Sequence, residues 1–144
     1  MKGYVINLDR SHDRWEIFQR RAAEAGLVFE RFAAFDGAAL DEELYALWGG
    51  RTRRWGPLTK TELATFLSHR GVWQKVAEGE DRWAFVVEDD VIFTKDSANV
   101  LSSVSWLPGD VHLIKVETMF TRVELSADVI GQNGAYKLRY LKNN

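Results

Sequence analysis

Cysteine is absent from the sequence of 144 residues. Its absence excludes disulfide-stapled scaffolds, zinc sites built on thiolates and cysteine nucleophiles. Apolar runs are short, well below the roughly 18 residues that a membrane-spanning helix needs. The first residues lead directly into a strand-like segment, so we expect neither a secretory signal nor a membrane span. The lack of cysteine is compatible with a reducing compartment, and a cytoplasmic location is what we expect.

The chain also has little excess charge, with a net charge of −2 at neutral pH. A protein with so small a net charge is not expected to bind nucleic acid. Its glycines do not form the patterns of a dinucleotide-binding turn or a P-loop. No grouping of serine, histidine and acid, or of lysine, indicates a covalent nucleophile. We therefore do not expect a dinucleotide-binding enzyme, a P-loop enzyme, an enzyme with a covalent nucleophile or a nucleic-acid-binding protein.

Aromatic residues, by contrast, are numerous, with six Trp and eight Phe. They form either a rich core or a surface that another chain covers, so a homo-oligomer stays an open alternative. The length suits one domain, since domains usually contain about 100–200 residues. A chain of this length buries about two thirds of its extended surface on folding. We therefore predict a single domain over residues 1–144.

Hydrophobic periodicity alternates between strand and helix along the chain. Ser11 is placed to cap the first helix and Gly26 to end it, and Thr59 with Glu62 forms the capping-box pattern of a longer helix. This alternation predicts an α/β fold with a largely parallel sheet. The predicted strands are residues 2–8, 28–35, 83–87, 111–116 and a weaker one at 135–141; the predicted helices are residues 13–25, 41–48, 60–77 and a short one near residue 97.

An acidic triplet, Glu88-Asp89-Asp90, follows the most apolar of the predicted strands. Such an apolar run is typical of a central parallel strand buried on both faces, and ligands bind beyond the carboxyl ends of such strands. On extended backbone Glu88 and Asp90 point to the same side, where they repel each other unless a cation lies between them. Carboxylate oxygens suit Mg²⁺ or Mn²⁺. The triplet therefore predicts a divalent metal site.

The triplet also admits two different roles. In the first, the acids only end a strand in a turn and have no ligand. In the second, they hold Mg²⁺ in a domain like a response-regulator receiver. Receivers carry their paired acids near the start of the domain, whereas here the acids come late in the chain. The order of elements therefore argues against the receiver.

Polar residues elsewhere are candidates for the same site. Asn7, Asp9 and Arg10 are at the carboxyl end of the first strand. If the two strands are parallel, these residues lie at the same sheet edge as the triplet, where they could hold a base or ribose. The alternative is an ordinary polar strand end. Ser68 and His69 lie on a mostly apolar helix, either as pocket residues or as hydrogen-bonded residues inside the fold.

A basic segment lies in the least regular part of the sequence. Arg51, Arg53 and Arg54 stand beside Trp55. Such side chains could clamp a phosphate or stack on a base. A run of charge in a loop is more commonly just solvated, and both possibilities stay open.

Read together and in order, four blocks resemble glycosyltransferase family 25. That family includes lipooligosaccharide and lipopolysaccharide biosynthesis glycosyltransferases and collagen galactosyltransferases. The blocks are YVINLDR at 4–10 followed by Ser11 and Arg14, FAAFDG at 32–37, the segment 58–73 with Ser68 and His69, and FVVEDDV at 85–91. Their order and spacing match over about residues 1–117.

The resemblance implies a GT-A-like, Rossmann-type fold that binds a nucleotide sugar. The implied reaction moves a sugar, often galactose from UDP-galactose, to a hydroxyl of a lipooligosaccharide- or lipopolysaccharide-type glycan at the inner face of the membrane. By position, Glu88 and Asp90 would hold Mn²⁺ or Mg²⁺ against the diphosphate, with Asp90 as the direct ligand. No catalytic base is identified. The implied donor-binding residues are Asn7, Asp9, Arg10, Ser68, His69, Glu88 and Asp89.

The sequence departs from the family pattern in two ways. Thr61, Ala64 and Thr65 stand where the middle block usually has glycines and a cysteine. Members of the family are usually longer and continue into an acceptor-binding half. We therefore expect this chain to be the donor-binding part, with a sheet that is incomplete at its C-terminal end. A non-catalytic remnant that folds and dimerises is the alternative.

Overall fold

The computed structural model describes residues 1–49, 56–117 and 122–142. The chain divides into two compact units, residues 1–98 and 99–144. None of the described helices is long and apolar enough to cross a membrane. The single domain expected over residues 1–144 stays a prediction.

A three-stranded parallel sheet forms the centre of the first unit, with the strand order β2-β1-β3. Helices flank this sheet, so the α/β fold with parallel strands that the sequence predicts is confirmed. The strands are β1 (Lys2–Asn7), β2 (Glu30–Ala33) and β3 (Ala84–Glu88), and the helices are α1 (His12–Glu24), α2 (Glu42–Trp48) and α3 (Lys60–Glu78). A further short helix, α4 (Ser97–Leu101), contains the point in the sequence at which the first unit ends and the second begins.

The two faces of β1 bury their side chains against different helices. Successive residues of a strand point to opposite faces. Tyr4 and Ile6 therefore pack on one face with Val72 of α3. Val5 packs on the other face with Phe18 of α1 and with further aromatic residues around it. Part of the aromatic content of the sequence is thus core.

The strand that precedes the acidic triplet, β3, is not the central strand that the sequence predicts. Among the described residues β3 pairs with β1 alone, and its apolar side chains are only partly buried. β1, in which five of six residues are buried, is the central strand. β3 is nevertheless apolar on both faces, because Val86 packs on the α3 side of the sheet and Val87 on the α1 side.

Helix boundaries follow the signals in the sequence with one exception. Ser11 stands at the N-cap of α1, but its side chain makes no capping hydrogen bond. Gly26 has φ of 67°, the left-handed conformation in which glycine ends helices. Thr59 and Glu62 form the predicted capping box of α3, since each side chain accepts from the other residue's backbone N–H.

Removing the capping box tests how much it contributes to stability. We expect Thr59→Ala to lower the free energy of unfolding by about 1 kcal/mol, because the N–H of Glu62 loses its acceptor. Urea unfolding followed by circular dichroism measures the change. Thr65→Ala, the same substitution at an exposed position inside α3, is the control and should be neutral or slightly stabilising. Equal losses in the two variants would contradict a capping role.

The second unit contains a small antiparallel hairpin. β4 (Gly131–Asn133) pairs with β5 (Tyr136–Leu138) around Gly134, whose φ is 57°. The weaker predicted strand at 135–141 is thus present as β5. The strand predicted at 111–116 is wrong, because those residues have no strand conformation. No described residue pairs with this segment as a strand, and Leu113 and Val116 are exposed.

Candidate functional site

A cavity of about 350 Å³ lies at the carboxyl ends of β1 and β3. The parallel register pairs Ile6 with Glu88, so the residues that follow them, Asn7 and Asp89, are also neighbours. Among the described residues, Asp9 and Asp90 are not part of the lining. Six of the predicted donor-binding residues do line the cavity: Asn7, Arg10, Ser68, His69, Glu88 and Asp89.

Asn7 is almost wholly buried, with 2% of its surface exposed. Its Nδ2 donates to Asp89 Oδ2 at 2.6 Å and to the carbonyl oxygen of Ser11 at 3.3 Å. Its Oδ1 accepts from Arg31 Nε at 2.8 Å. The amide therefore uses its donors and its acceptor inside the protein. Asn7 fixes the position of Asp89 and leaves little hydrogen-bonding capacity for a ligand.

Asp89 is the buried member of the acidic triplet, with 6% of its side chain exposed. Besides the hydrogen bond from Asn7, its Oδ1 accepts from the guanidinium of Arg14. Arg14 Nη2 also lies 3.7 Å from Asp90 Oδ2, and 70% of the Asp90 side chain is exposed. A buried carboxylate needs such partners, since an unpaired charge in the interior is strongly destabilising.

Glu88 faces the cavity from the last position of β3. His69 Nε2 and Glu88 Oε1 are 3.1 Å apart. The hydrogen bond from His69, with the nearby charge of Arg14, holds the pKa of the Glu88 carboxyl below its ordinary value, against a smaller opposing effect of burial. Glu88 is therefore ionised at neutral pH, and its half-exposed side chain can offer an oxygen to a ligand.

The backbone of the triplet is not extended throughout. β3 ends at Glu88, and residues 89–90 form a turn in which the N–H of Val91 donates to the carbonyl oxygen of Glu88 at 3.4 Å. The sequence predicts that Glu88 and Asp90 point to the same side of a strand, which assumes extended backbone through residue 90. That assumption is wrong, because the strand ends at Glu88. The turn directs Asp89 inward and leaves Asp90 exposed.

Ser68 has a structural role beside the cavity. Its buried hydroxyl donates to the carbonyl oxygen of Ala64 at 2.7 Å and accepts from the N–H of Phe35 at 2.9 Å. This pair of hydrogen bonds joins α3 to the segment that follows β2. Ser68 therefore supports the cavity wall, which agrees with the hydrogen-bonded alternative of the sequence.

Arg10 is held at the cavity by a bidentate ion pair. Its Nε donates to Asp36 Oδ2 at 2.7 Å and its Nη2 to Asp36 Oδ1 at 3.3 Å. The guanidinium, with the N–H of Ala38, keeps the pKa of the Asp36 carboxyl below its ordinary value. Gly37 lets this turn approach α3, since a Cβ there would lie 2.8 Å from Thr61 Cα.

Two arginines at the site were not predicted as site residues. Arg31 of β2 donates to Asn7 and, at 2.8 Å, to Asp9 Oδ1. The predicted site residue Asp9 is thus paired with Arg31. Arg14 pairs with the acidic triplet. Arg14 is part of the first block of the family resemblance, so a signal for it existed. Arg31 has no comparable signal in the sequence.

The carboxylates offer hard oxygen donors, which is the chemistry that Mg²⁺ and Mn²⁺ prefer. Within the described ranges, no group of three or more His, Cys, Asp or Glu side chains is arranged to hold a metal. Asp89 is occupied by Asn7 and Arg14, which leaves Glu88 and Asp90 as donors. Mg²⁺ is often held by one or two carboxylates and completed by substrate phosphates, so the fit of Glu88 and Asp90 to such an ion is one of donor chemistry.

The basic segment of the sequence falls in a gap between the described ranges. Arg51, Arg53, Arg54 and Trp55 all lie outside the described residues. Their proposed contact with a phosphate or a base stays a prediction.

Comparison with known proteins assigns the family. The family model described as glycosyltransferase family 25 (LPS biosynthesis protein) matches residues 1–139. Procollagen galactosyltransferase 2 of Mus musculus is 34% identical over 97 residues, which cover 62% of this chain and 16% of that protein. The lacto-N-neotetraose biosynthesis glycosyltransferase LgtE of Neisseria meningitidis is 26% identical over 136 residues, covering 90% of this chain and 48% of that protein.

A third relative is also named for the biosynthesis of a glycan. The lipooligosaccharide biosynthesis protein lic2B of Haemophilus influenzae is 29% identical over 110 residues, covering 72% of this chain and 39% of that protein. The chain thus matches less than half the length of each of these three relatives. The family model covers the first unit and nearly all of the second. The chain belongs to glycosyltransferase family 25.

Proposed function

We propose that this chain is the donor-binding part of a glycosyltransferase. Its donor is a nucleotide sugar, UDP-galactose, and its acceptor is a hydroxyl of a lipooligosaccharide- or lipopolysaccharide-type glycan. The observation that carries the proposal is the cavity at the carboxyl ends of β1 and β3, which gathers Asn7, His69, Glu88 and Asp89 in a chain of family 25. Ligands of open α/β sheets bind at this edge.

The charge of the cavity supports a metal-assisted mode of binding. Its charged lining consists of two arginines and three carboxylates, and exposed Asp90 adds a further negative charge beside it. A diphosphate that enters such a negative site needs an added cation. We propose that Glu88 and Asp90 hold Mn²⁺ or Mg²⁺ and that the diphosphate completes its ligands. The ion would supply charge neutralisation for the leaving diphosphate.

The residues around the cavity have separate roles in this proposal. Asn7, linked to Arg31, keeps Asp89 in place, and Asp89 in turn positions Arg14. His69 lowers the pKa of the Glu88 carboxyl through its hydrogen bond and orients it at the cavity. Preorganised charges of this kind favour the transition state because they need no rearrangement when charge develops on the leaving group.

The names of the relatives support the choice of sugar and acceptor. One is called procollagen galactosyltransferase 2, which supports galactose as the transferred sugar. LgtE and lic2B are named for lacto-N-neotetraose and lipooligosaccharide biosynthesis, which supports a bacterial surface glycan as the acceptor. A cytoplasmic location, at the inner face of the membrane, fits that acceptor and is part of the proposal.

Calorimetric titration of the full chain with UDP tests the proposal. We expect UDP to bind at least about tenfold more tightly with Mn²⁺ than with EDTA, since a tenfold difference needs only about 1.4 kcal/mol of charge neutralisation. Uridine, which lacks the diphosphate, is the matched ligand control and should show no metal effect. A folded chain that binds UDP neither with nor without Mn²⁺ would contradict the proposal and favour the non-catalytic remnant.

A further inference from the structure

Arg14 occupies the place of a cation at the acidic triplet. Its guanidinium pairs with Asp89 Oδ1, and its Nη2 lies 3.7 Å from Asp90 Oδ2. The same side chain lines the cavity. Arg14 therefore contacts both carboxylates of the turn and also borders the space in which a ligand binds.

We propose that Arg14 is a built-in counter-cation that competes with the divalent metal for the acidic triplet, so that metal and diphosphate bind cooperatively. The proposal rests on the proposed function. With no ligand, the guanidinium neutralises Asp89 and lies close to Asp90. When metal and diphosphate bind together, the guanidinium leaves Asp90 and pairs with the phosphate oxygens instead.

Electrostatics explains why the two cations exclude each other. A guanidinium and a divalent ion that share the Asp90 carboxylate repel each other at a distance of a few ångströms. The metal alone must therefore displace Arg14 without offering it another anion. A diphosphate offers one, since charge-assisted hydrogen bonds from arginine to phosphate are strong. By linkage, the diphosphate then raises metal affinity by the same factor as the metal raises diphosphate affinity.

The other two arginines of the site do not meet the conditions for this role. Arg10 is held by both oxygens of Asp36. Arg31 is held by Asn7 and Asp9. Arg14, in contrast, contacts its two carboxylates through one nitrogen, and half of its side chain is exposed. Arg14 can therefore give up its contact with exposed Asp90 while Asp89 keeps its hydrogen bond from Asn7.

Mn²⁺ binding to the full chain without nucleotide tests the proposal, measured by the loss of the free-ion signal in electron paramagnetic resonance. We expect Arg14→Gln to bind Mn²⁺ roughly tenfold more tightly than the wild type. Arg20→Gln removes the same charge from an exposed position of the same helix and should stay within about twofold of the wild type. We also expect Arg14→Gln to reduce the gain in UDP affinity that Mn²⁺ produces.

The outcomes separate this proposal from the proposed function. If the wild type binds UDP with Mn²⁺ but Arg14→Gln leaves the Mn²⁺ affinity unchanged, only the role of Arg14 is overturned. If UDP does not bind, the proposed function fails, and the titration with Mn²⁺ alone still decides the competition. Absence of Mn²⁺ binding in both the wild type and Arg14→Gln overturns the proposal.

A second variant guards against loss of folding in Arg14→Gln. Arg14→Lys keeps the positive charge beside buried Asp89. Its Mn²⁺ affinity should stay within about threefold of the wild type, because the competing charge is retained. A tenfold gain in Arg14→Lys would overturn the proposal, since the effect would then not follow the charge.

Discussion

Asn7→Leu should lower the free energy of unfolding by about 3 kcal/mol, the largest loss of stability that we expect from a single substitution at the site. Leucine matches asparagine approximately in size but can neither donate to Asp89 nor accept from Arg31. Asp89 would keep its charge and its burial but lose one of its two strong partners. Urea unfolding of the full chain measures the change.

Two further variants make the Asn7 measurement specific. Gln19→Leu removes an exposed amide from α1 and should change stability by no more than about 0.5 kcal/mol. Arg31→Met, combined with Asn7→Leu in a double-mutant cycle, should show a coupling of about 1 kcal/mol because the two residues share a hydrogen bond. A loss of stability below about 1 kcal/mol in Asn7→Leu would mean that Asp89 has no need of the amide.

Asp90→Asn should remove most of the effect of Mn²⁺ on UDP binding, a loss of about tenfold or more in affinity. The amide keeps the shape of the side chain but loses the charge that a hard divalent ion requires. Folding should persist, because 70% of the Asp90 side chain is exposed. Calorimetric titration with UDP, with Mn²⁺ and with EDTA, gives the metal-dependent part of the affinity.

Asp81→Asn is the matched control for this titration. Asp81 is exposed and lies just before β3, at the opposite end of the strand from the acidic triplet. The change in charge is the same, so a general electrostatic effect on UDP would appear in both variants. An undiminished Mn²⁺ effect in Asp90→Asn would exclude Asp90 as a ligand. Loss of folding, with no metal-dependent binding in the wild type, would make the carboxylates structural.

Local signals in the sequence predicted the helices and the strand β1 well, although they did not predict that β1 is the central strand. The capping box at Thr59 and the glycine at Gly26 mark real helix ends. Ser68 and His69 reach the cavity because α3 packs beside β1 and β3. Their placement near the acidic triplet came from the family resemblance, since helical periodicity gives the face of a helix but not its neighbours.

The partners of the acidic residues could not be predicted from local patterns. Asn7 and Asp89 are 82 residues apart in sequence, and Arg14 and Asp89 are 75 apart. Such contacts depend on the order of strands in the sheet. The same dependence explains the wrong strand at 111–116, since an apolar alternation becomes a strand only when another strand pairs with it. The edge position of β3 follows from strand order as well.

The pairing of β1 with β3 also determines when the site can exist during folding. Closing a loop of about eighty residues has an entropic cost that no local contact offsets, and proteins rich in such distant pairings fold slowly. α1 and α3 can begin to form within the first microsecond as helices, but the cavity lies between strand ends that meet only once this loop has closed. On the ribosome, that step must wait until Glu88 and Asp89 have left the exit tunnel. The chain therefore completes its sheet and acquires its binding site in the same late event.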